Sequence, residues 1–387
     1  MKPISIDAVR QSPLPDSATL ADRMTAALPG VADASRPVTI LRRELPSITS
    51  TFPNEIVTCS LSNGRRRRVF VKYKAGQSHA SYGHRGDVPY EAEVYRRVLQ
   101  GLPDFRPKYL GAHTDPKTGD ASLFLEYVDR NVRLSDIRWK FAMRQPRALD
   151  RAARWLGRFH LDQEARVHDP ALSFLKRYDA EYFRGWAERT SEFARPLYRR
   201  FPWLAGIRDW GDAWFAPLLA AKPTMIHGEF YTKTILMRAQ SLFIVDWESA
   251  AIAAGEIDLA ALTEGNGWRR QRVRRWEDQY KRSRWPEGLP DAFQGTLDAA
   301  RVYLHLRWLG DRPDWSVREK SLWRYDHLHA TAQRLGLMPS ASPPARRAGN
   351  PPPAAGPLFT RSAARRSDPG ARLCARDRSQ RRSRPSR

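Results

Sequence analysis

The chain has 387 residues, 41% of them hydrophobic, with 13 Trp and 15 Phe, which is enough for two lobes around a real core. No run of about 18 apolar residues occurs, which argues against a spanning helix. The opening MKPISIDAVRQSPLPDSATL lacks the apolar segment of a secretory signal, so a cytoplasmic location is expected. Cys59 and Cys374 are the two cysteines, too few for a disulfide framework or a cysteine metal site. A net charge of +24 suggests nucleic acid or a membrane surface. However, residues 338–387 hold 12 Arg against 2 Asp, so much of that excess sits at one end.

In chain order, residues 1–37 read as a flexible or loosely docked leader rich in Pro, Ser, Asp and Ala. Val38 to Leu41 is β-prone. Glu55 to Leu61 and Arg68 to Lys74 flank Ser62-Asn63-Gly64, a hairpin signal. Tyr90 to Gln100 reads as a helix with Val94, Tyr95, Val98 and Leu99 on its apolar face and Gly101 as its stop. Leu123 to Val128 is a further strand. Helices are expected at about 146–162, 171–191, 209–221, 267–283, 291–309 and 317–335. The pattern divides the chain into a strand-rich part at 38–127 and a helical part at 128–337. Beyond lies a tail at 338–387, dominated by Pro, Ala, Ser and Arg. The tail cannot bury enough surface to offset its ordering entropy and is expected to be disordered. It either binds polyanions weakly or has no role.

The residues that could carry chemistry are few. Lys72 lies on the strand VFVKYK, where its ammonium could hold a phosphate or simply meet solvent. Lys74 shares its face. Glu91 falls on the apolar side of its helix with Val94, Tyr95 and Val98, whereas Glu93 falls on the wet side. A carboxylate on an apolar face needs a partner, and Lys72 is a natural one. The alternative for Glu91 is a first-turn acid favoured by the helix dipole. The richest stretch runs from Thr224 to Gly265. There, His227-Gly228-Glu229 follows an apolar lead-in and Leu242-Phe243-Ile244-Val245 runs into Asp246. Glu229 could orient or deprotonate a hydroxyl, and Asp246 could hold Mg2+. A strand-end Asp also serves as a turn former or helix cap. His79 and His84 lack a cysteine pair, so a zinc site is not expected. Neither a dinucleotide fingerprint, a Walker loop nor a nucleophile elbow occurs.

Taken together, these residues resemble the aminoglycoside phosphotransferase/choline kinase-like family over about residues 38–335. The strongest likeness lies in HGEFYTKTILM, IVDWESAAIAAGEIDLAALTEG and the lysine strand with the helix that follows it. RWLGRFH at 154–160 is similar to the family's long C-lobe helix. The resemblance implies an α+β, bilobal protein-kinase-like fold, with a small antiparallel-sheet N-lobe and a larger helical C-lobe. It also implies ATP- and Mg2+-dependent transfer of a phosphoryl group to a small-molecule hydroxyl. By the same likeness, Lys72 would hold the α/β-phosphates and Glu91 would pair with it. Leu125 to Val128, with Glu126 and Val128 in the cofactor set, would be the hinge meeting the adenine. Glu229 would take the catalytic position, with His227 beside it. Asp246 would be the principal Mg2+ ligand and Asp258 would brace the loop.

Two positions depart from the family pattern. Glu229 stands where Asp is usual, and Thr234 stands where Asn supplies a second metal contact. An extra methylene displaces a carboxylate by roughly 1 Å, a shift that can cost on the order of 100-fold if uncompensated. A nucleotide-binding pseudo-kinase is therefore an alternative, and a polyanion binder acting through its basic surface and tail is another. The segment Leu45 to Thr51, which would cover the phosphates, is hydroxyl-rich and has no glycine. Residues 266–285 carry 8 Lys/Arg against 2 acids, and are either a solvated face or a cationic wall suited to a neutral or anionic acceptor.

Overall fold

The computed structural model describes residues 2–3, 14–28, 37–46, 51–75, 82–102, 104–136, 147–265 and 268–339. The phosphate-covering segment at 47–50 and the tail from 340 onward lie outside the described residues.

The N-terminal part is a six-stranded antiparallel sheet. Its strands are β1 (Lys2–Pro3), β2 (Thr39–Leu45), β3 (Asn54–Ser60), β4 (Arg66–Tyr73), β5 (Tyr109–Thr114) and β6 (Ala121–Glu126), in the order β1-β2-β3-β4-β6-β5. β3 and β4 form the expected hairpin, from Ser60 opposite Arg66 to Asn54 opposite Lys72. Gly64 turns the chain with φ 75°, and Asn63 Oδ1 accepts from the Arg65 N–H at 3.0 Å. Successive strand residues face opposite sides. Val57, Cys59, Val69, Val71 and Tyr73 therefore build one small core, while Ile56, Phe70 and Lys72 line the other side, which forms a cavity.

The leader expectation needs correction. Ser17–Ala27 forms helix α1, capped by Asp16, whose carboxylate accepts from the Thr19 N–H at 2.7 Å. Leu20 and Met24 are fully buried in the small core. The helix comes so close to β5 that a Cβ at Gly111 (φ +155°) would lie 2.0 Å from Ala27 O.

Helix α2 (Val88–Val94) is capped by Asp87 and continues as a π-helical turn over Tyr95–Leu99. It places Glu91 against the sheet, buried. The helical part contains α3 (Ala148–Glu164), α4 (Ala180–Phe193), α5 (Ala216–Ala220), α6 (Glu256–Thr263), α7 (Arg270–Arg284), α8 (Phe293–Asp311), α9 (Pro313–Ser316) and α10 (Leu322–Arg334). Two expected helices are shorter than the pattern suggested. The one expected at 171–191 begins at Ala180, where Asp179 caps it, and Lys176–Arg177 before it form a strand instead. The one expected at 209–221 is broken at Gly211 (φ 53°), between a 3-10 stretch at Pro202–Trp210 and α5.

Two small sheets interrupt these helices. One has the order β11-β10-β7, from Ser241–Ile244, Ile235–Arg238 and Val132–Arg133. The other has the order β8-β12-β9, from Lys176–Arg177, Ala251–Ala254 and Pro223–Ile226. Together they carry the 224–265 stretch, with His227-Gly228-Glu229 leaving β9 and Asp246 following β11. The architecture is the α+β arrangement of an antiparallel N-terminal sheet and a larger helical part. Among the described residues no helix is long and apolar enough to cross a membrane.

Candidate active site

A cavity of about 700 Å³ lies between the sheet and the helical part. Lys72, Glu91, Leu125, Glu126, Val128, Glu229, Thr234, Asp246 and Glu248 all line it. Its centre is a buried charge cluster. Lys72 Nζ donates to Glu91 Oε2 at 2.7 Å, to Asp246 Oδ1 at 2.8 Å and to Glu248 Oε2. Burial works against a charged lysine. Asp246, Glu248 and Glu91 outweigh it and hold the ammonium well above its usual range. Glu91 is locked from its other oxygen, which accepts from the Trp247 N–H at 3.0 Å. Lys74, the alternative lysine, is half-buried, lies outside the cavity lining and pairs with Asp87 at 3.1 Å.

Asp246 adopts a left-handed backbone (φ 71°, ψ 57°), a conformation that Asp reaches more readily than most residues. That turn ends β11 and aims the carboxylate at Lys72. Burial opposes its ionisation, but Lys72 keeps its carboxyl below the ordinary range. Glu248 behaves oppositely. Burial pushes it up to about 8 against the pull of Lys72, with Asp246 and Glu91 adding repulsion. Carboxylate oxygens of Glu91, Asp246 and Glu248 lie within 4.8 Å of one another. Three acids facing one ammonium leave an excess of hard oxygen donors, and the partly exposed Asp246 opens onto the cavity. This donor set fits a small hard cation such as Mg2+.

The His227-Gly228-Glu229 loop is held by Asp258. Its carboxylate accepts from the His227 N–H at 2.6 Å and the Gly228 N–H at 2.8 Å. It also meets His160 Nε2 at 3.2 Å, and His160 Nδ1 reaches Tyr280 OH at 2.9 Å. The His227 ring is fully buried. One nitrogen lies 3.0 Å from Val245 O and the other accepts from the Glu229 N–H at 3.2 Å. The ring thus ties the loop to the end of β11, away from the cavity lining, so the expected catalytic placing of His227 is corrected to a bracing one.

Glu229 does face the cavity but is gripped. Arg85 and Arg307 each donate to its Oε1 at 2.9 Å, and Lys233 Nζ lies 3.7 Å from Oε2. Burial would raise its pKa, yet Arg85, Lys233 and Arg307 hold the carboxyl well below the carboxylate range. A carboxylate so stabilised orients a hydroxyl better than it removes a proton. Thr234 lines the cavity, but its hydroxyl donates to the Glu229 and Tyr231 carbonyls at 3.0 and 2.9 Å. Its hydrogen is therefore spent on shaping the loop.

At the expected hinge, Glu126 N donates to Lys108 O at 2.9 Å, and Val128 O accepts from Asn131 Nδ2 at 2.5 Å. Of the two readings for 266–285, a cationic wall is not at the site. α7 packs on α3, where Arg275 meets Asp150 at 2.5 Å and Arg284 meets Glu164. Among the described residues none of α7 lines the cavity. Among the described residues the cations lining the cavity are Lys72, Arg85, Arg133, Lys233 and Arg312, and Arg307 reaches it through Glu229. Sequence reasoning passed over the arginines and gave Glu248 no ligand role. Glu248 was visible two places after Asp246, whereas Arg307 is 78 positions from Glu229 and carries no local signal.

No protein-family model matches the chain, and no curated protein matches it. Solved structures do. A choline kinase from Cryptosporidium parvum Iowa II matches with a TM-score of 0.53 at 14% identity, over 84% of this chain and 98% of that one. A putative aminoglycoside phosphotransferase from Ralstonia eutropha JMP134 matches at 0.51 and 12% identity, over 83% and 97%. The GDP complex of wild-type aminoglycoside 2'-phosphotransferase-IIIa matches at 0.51 and 14%, over 83% and 99%. The chain has the kinase-like fold of these choline kinase and aminoglycoside phosphotransferase structures.

Proposed function

We propose that the protein is an ATP- and Mg2+-dependent phosphotransferase that acts on a hydroxyl of a small molecule in the cytoplasm. The observation that carries this reading is Lys72, shared among Glu91, Asp246 and Glu248 at the wall of the cavity. One buried lysine positioned by a helix glutamate and facing a metal-competent acid pair is the arrangement that phosphoryl transfer needs. Lys72 takes the α/β-phosphates and Glu91 fixes it. Asp246 and Glu248 would hold Mg2+, whose charge would offset that of the phosphates. Glu126 and Val128 offer their backbone to the base, whether adenine or the guanine named for one of the solved structures. Glu229 orients the hydroxyl, and Asp258 with His227 holds its loop. The transfer passes through a loose transition state, so positioning and electrostatics can outweigh base catalysis.

A pseudo-kinase is the second reading, favoured by the double arginine grip on Glu229 and by the Thr234 hydroxyl turned to the backbone. Thermal shift of the full chain with Mg-ATP, followed by ADP release over alcohol, sugar and aminoglycoside acceptors, separates the two. Stabilisation by Mg-ATP and turnover lost in Asp246→Ala are expected. Nucleotide binding without turnover above that variant would assign the protein to the second reading. Polyanion binding that disappears when 338–387 is removed, without any response to Mg-ATP, would favour a basic-tail function instead.

A further inference from the structure

On the side lined by Arg312 and Trp315, the cavity is backed by further aromatic rings, Trp308 and Tyr231, whose faces already carry resident cations. The Arg312 guanidinium lies 3.8 Å from the centre of the Trp315 ring. Trp308 stacks on Trp315 at 5.3 Å and is itself covered by Arg324 at 4.5 Å and Lys233 at 5.6 Å. Trp308 Nε1 donates to Tyr231 OH at 2.7 Å, and Arg307 donates to the same oxygen. An aromatic wall attracts a quaternary or polycationic ligand through open ring faces. Here those faces are taken, and an incoming cation would meet Lys233 and Arg312, which line the cavity, while Arg307 and Arg324 add positive charge behind them. Glu229 and Asp136 are acids lining the cavity, and Asp311, which does not line it, has no hydrogen-bond partner on either carboxylate oxygen among the described residues. Glu229 is committed to Arg85 and Arg307, and Asp311 lies 3.7 Å from Arg85.

Donors are also left over. Among the described residues the buried Arg312 Nε and Trp315 Nε1 have no hydrogen-bond partner, and both residues line the cavity. Each is a donor only, and a buried donor without an acceptor is costly. Unspent donors beside Lys233 and Arg312 call for an anionic oxygen ligand on this side of the cavity.

Resting on the phosphotransferase reading, we propose that the acceptor is a small alcohol bearing a carboxylate or phosphate. Its anionic group is held by Arg312, Lys233 and Trp315 Nε1, and its hydroxyl lies toward Glu229. Arg312 and Trp315 then determine specificity and exclude choline-type and aminoglycoside-type cations.

Isothermal titration of the full-length protein with glycerate, glycerol 3-phosphate, glycerol and choline tests this without requiring turnover. The two anionic alcohols are expected to bind and the other two are not. Arg312→Met is expected to weaken anion binding by about 10- to 100-fold, the worth of a hydrogen bond to a charged group. Arg282→Met, an exposed arginine of α7 outside the cavity lining, should leave it within about twofold. Equal binding of choline or glycerol would overturn the proposal. So would retained anion binding in Arg312→Met, or anion binding abolished by saturating ATP, which would place the anion on the nucleotide phosphates. Mg-ATP titrated separately keeps the two readings apart. Nucleotide binding without anion binding sinks the acceptor proposal alone, whereas anion binding without nucleotide binding sinks the phosphotransferase reading.

Discussion

Gly228 shows how little room the loop leaves at one residue. Its φ is +79°, and a Cβ there would lie 2.2 Å from Ser249 O. Gly228→Ala must therefore pay for strain at a positive φ and push apart the segments carrying Glu229 and Asp246. Strain of this kind costs on the order of 1–3 kcal/mol. Urea unfolding should show at least that loss, together with weaker Mg-ATP binding, and an unchanged midpoint would contradict the reading. The neighbouring Glu229 illustrates the opposite case, in which geometry supplies what the residue type conceals. As a letter in the sequence it is an aspartate lengthened by one methylene. In the fold, its carboxylate is fixed by two guanidiniums from Arg85 and Arg307, so its reach is set by ion pairs rather than by its own rotamers.

Among the elements, α1 was the least foreseeable. Its sequence, SATLADRMTAA, offers just Leu20 and Met24 as long apolar side chains. Its docking depends on the face of β3 and β4 that carries Val57, Val69 and Val71. Met24→Ala should cost about 2–5 kcal/mol, as for other buried large-to-small changes, despite lying more than 40 residues from Lys72 in the chain. A change below about 1 kcal/mol in chemical unfolding would restore the loosely docked leader. Elements with their own punctuation were legible. The hairpin at Ser62-Asn63-Gly64 and the register that seats Lys72 opposite Asn54 follow from alternation and a turn. The helix of Glu91 follows from its apolar stripe and its Asp87 cap. Lys72, Glu91 and Asp246 could thus be proposed as neighbours from pattern and resemblance. The acceptor wall could not. Arg85 precedes α2 whereas Arg307 and Arg312 lie at the end of α8, and a lone arginine has no period that reveals its partner. α7 left two readings open for a related reason, since its sequence does not show that its ion pairs to α3 serve packing.

For the molecule as a whole, acid is the expected weakness. His305 is fully buried, and burial lowers it to about 4 although its bond to Glu264 pulls the other way. Burial also lowers His160, and burial with Arg307 and Arg85 lowers His84 well below the usual range. The unfolded chain takes up protons near the ordinary histidine value of 6.5 that the folded chain refuses. Stability is therefore full above that pH and falls as pH drops toward about 4. His305 alone accounts for on the order of 3 kcal/mol over that window. Glu264, held low against burial by His305 and His327, adds a loss of the same sign below its ordinary value of 4.5. Glu248, raised to about 8, works the other way and adds stability as pH drops toward 4.5, so the histidine share is read as a difference. Between pH 7 and 5, the urea midpoint of the wild type should lose ground to that of His305→Gln. An identical pH slope in the two proteins would contradict the assignment.

The charge cluster also imposes an order in time. Lys72 finds Asp246 and Glu248 only 174 and 176 positions further along the chain. At roughly 5–20 residues per second, a ribosome needs on the order of 10–30 s to supply them. Until then the emerging N-terminal sheet holds a lysine and a glutamate whose remaining partners do not yet exist, and water must solvate what the finished fold seals. A nascent chain arrested before Glu248 should therefore remain protease-sensitive around Lys72, and release beyond that point should bring protection to both parts together.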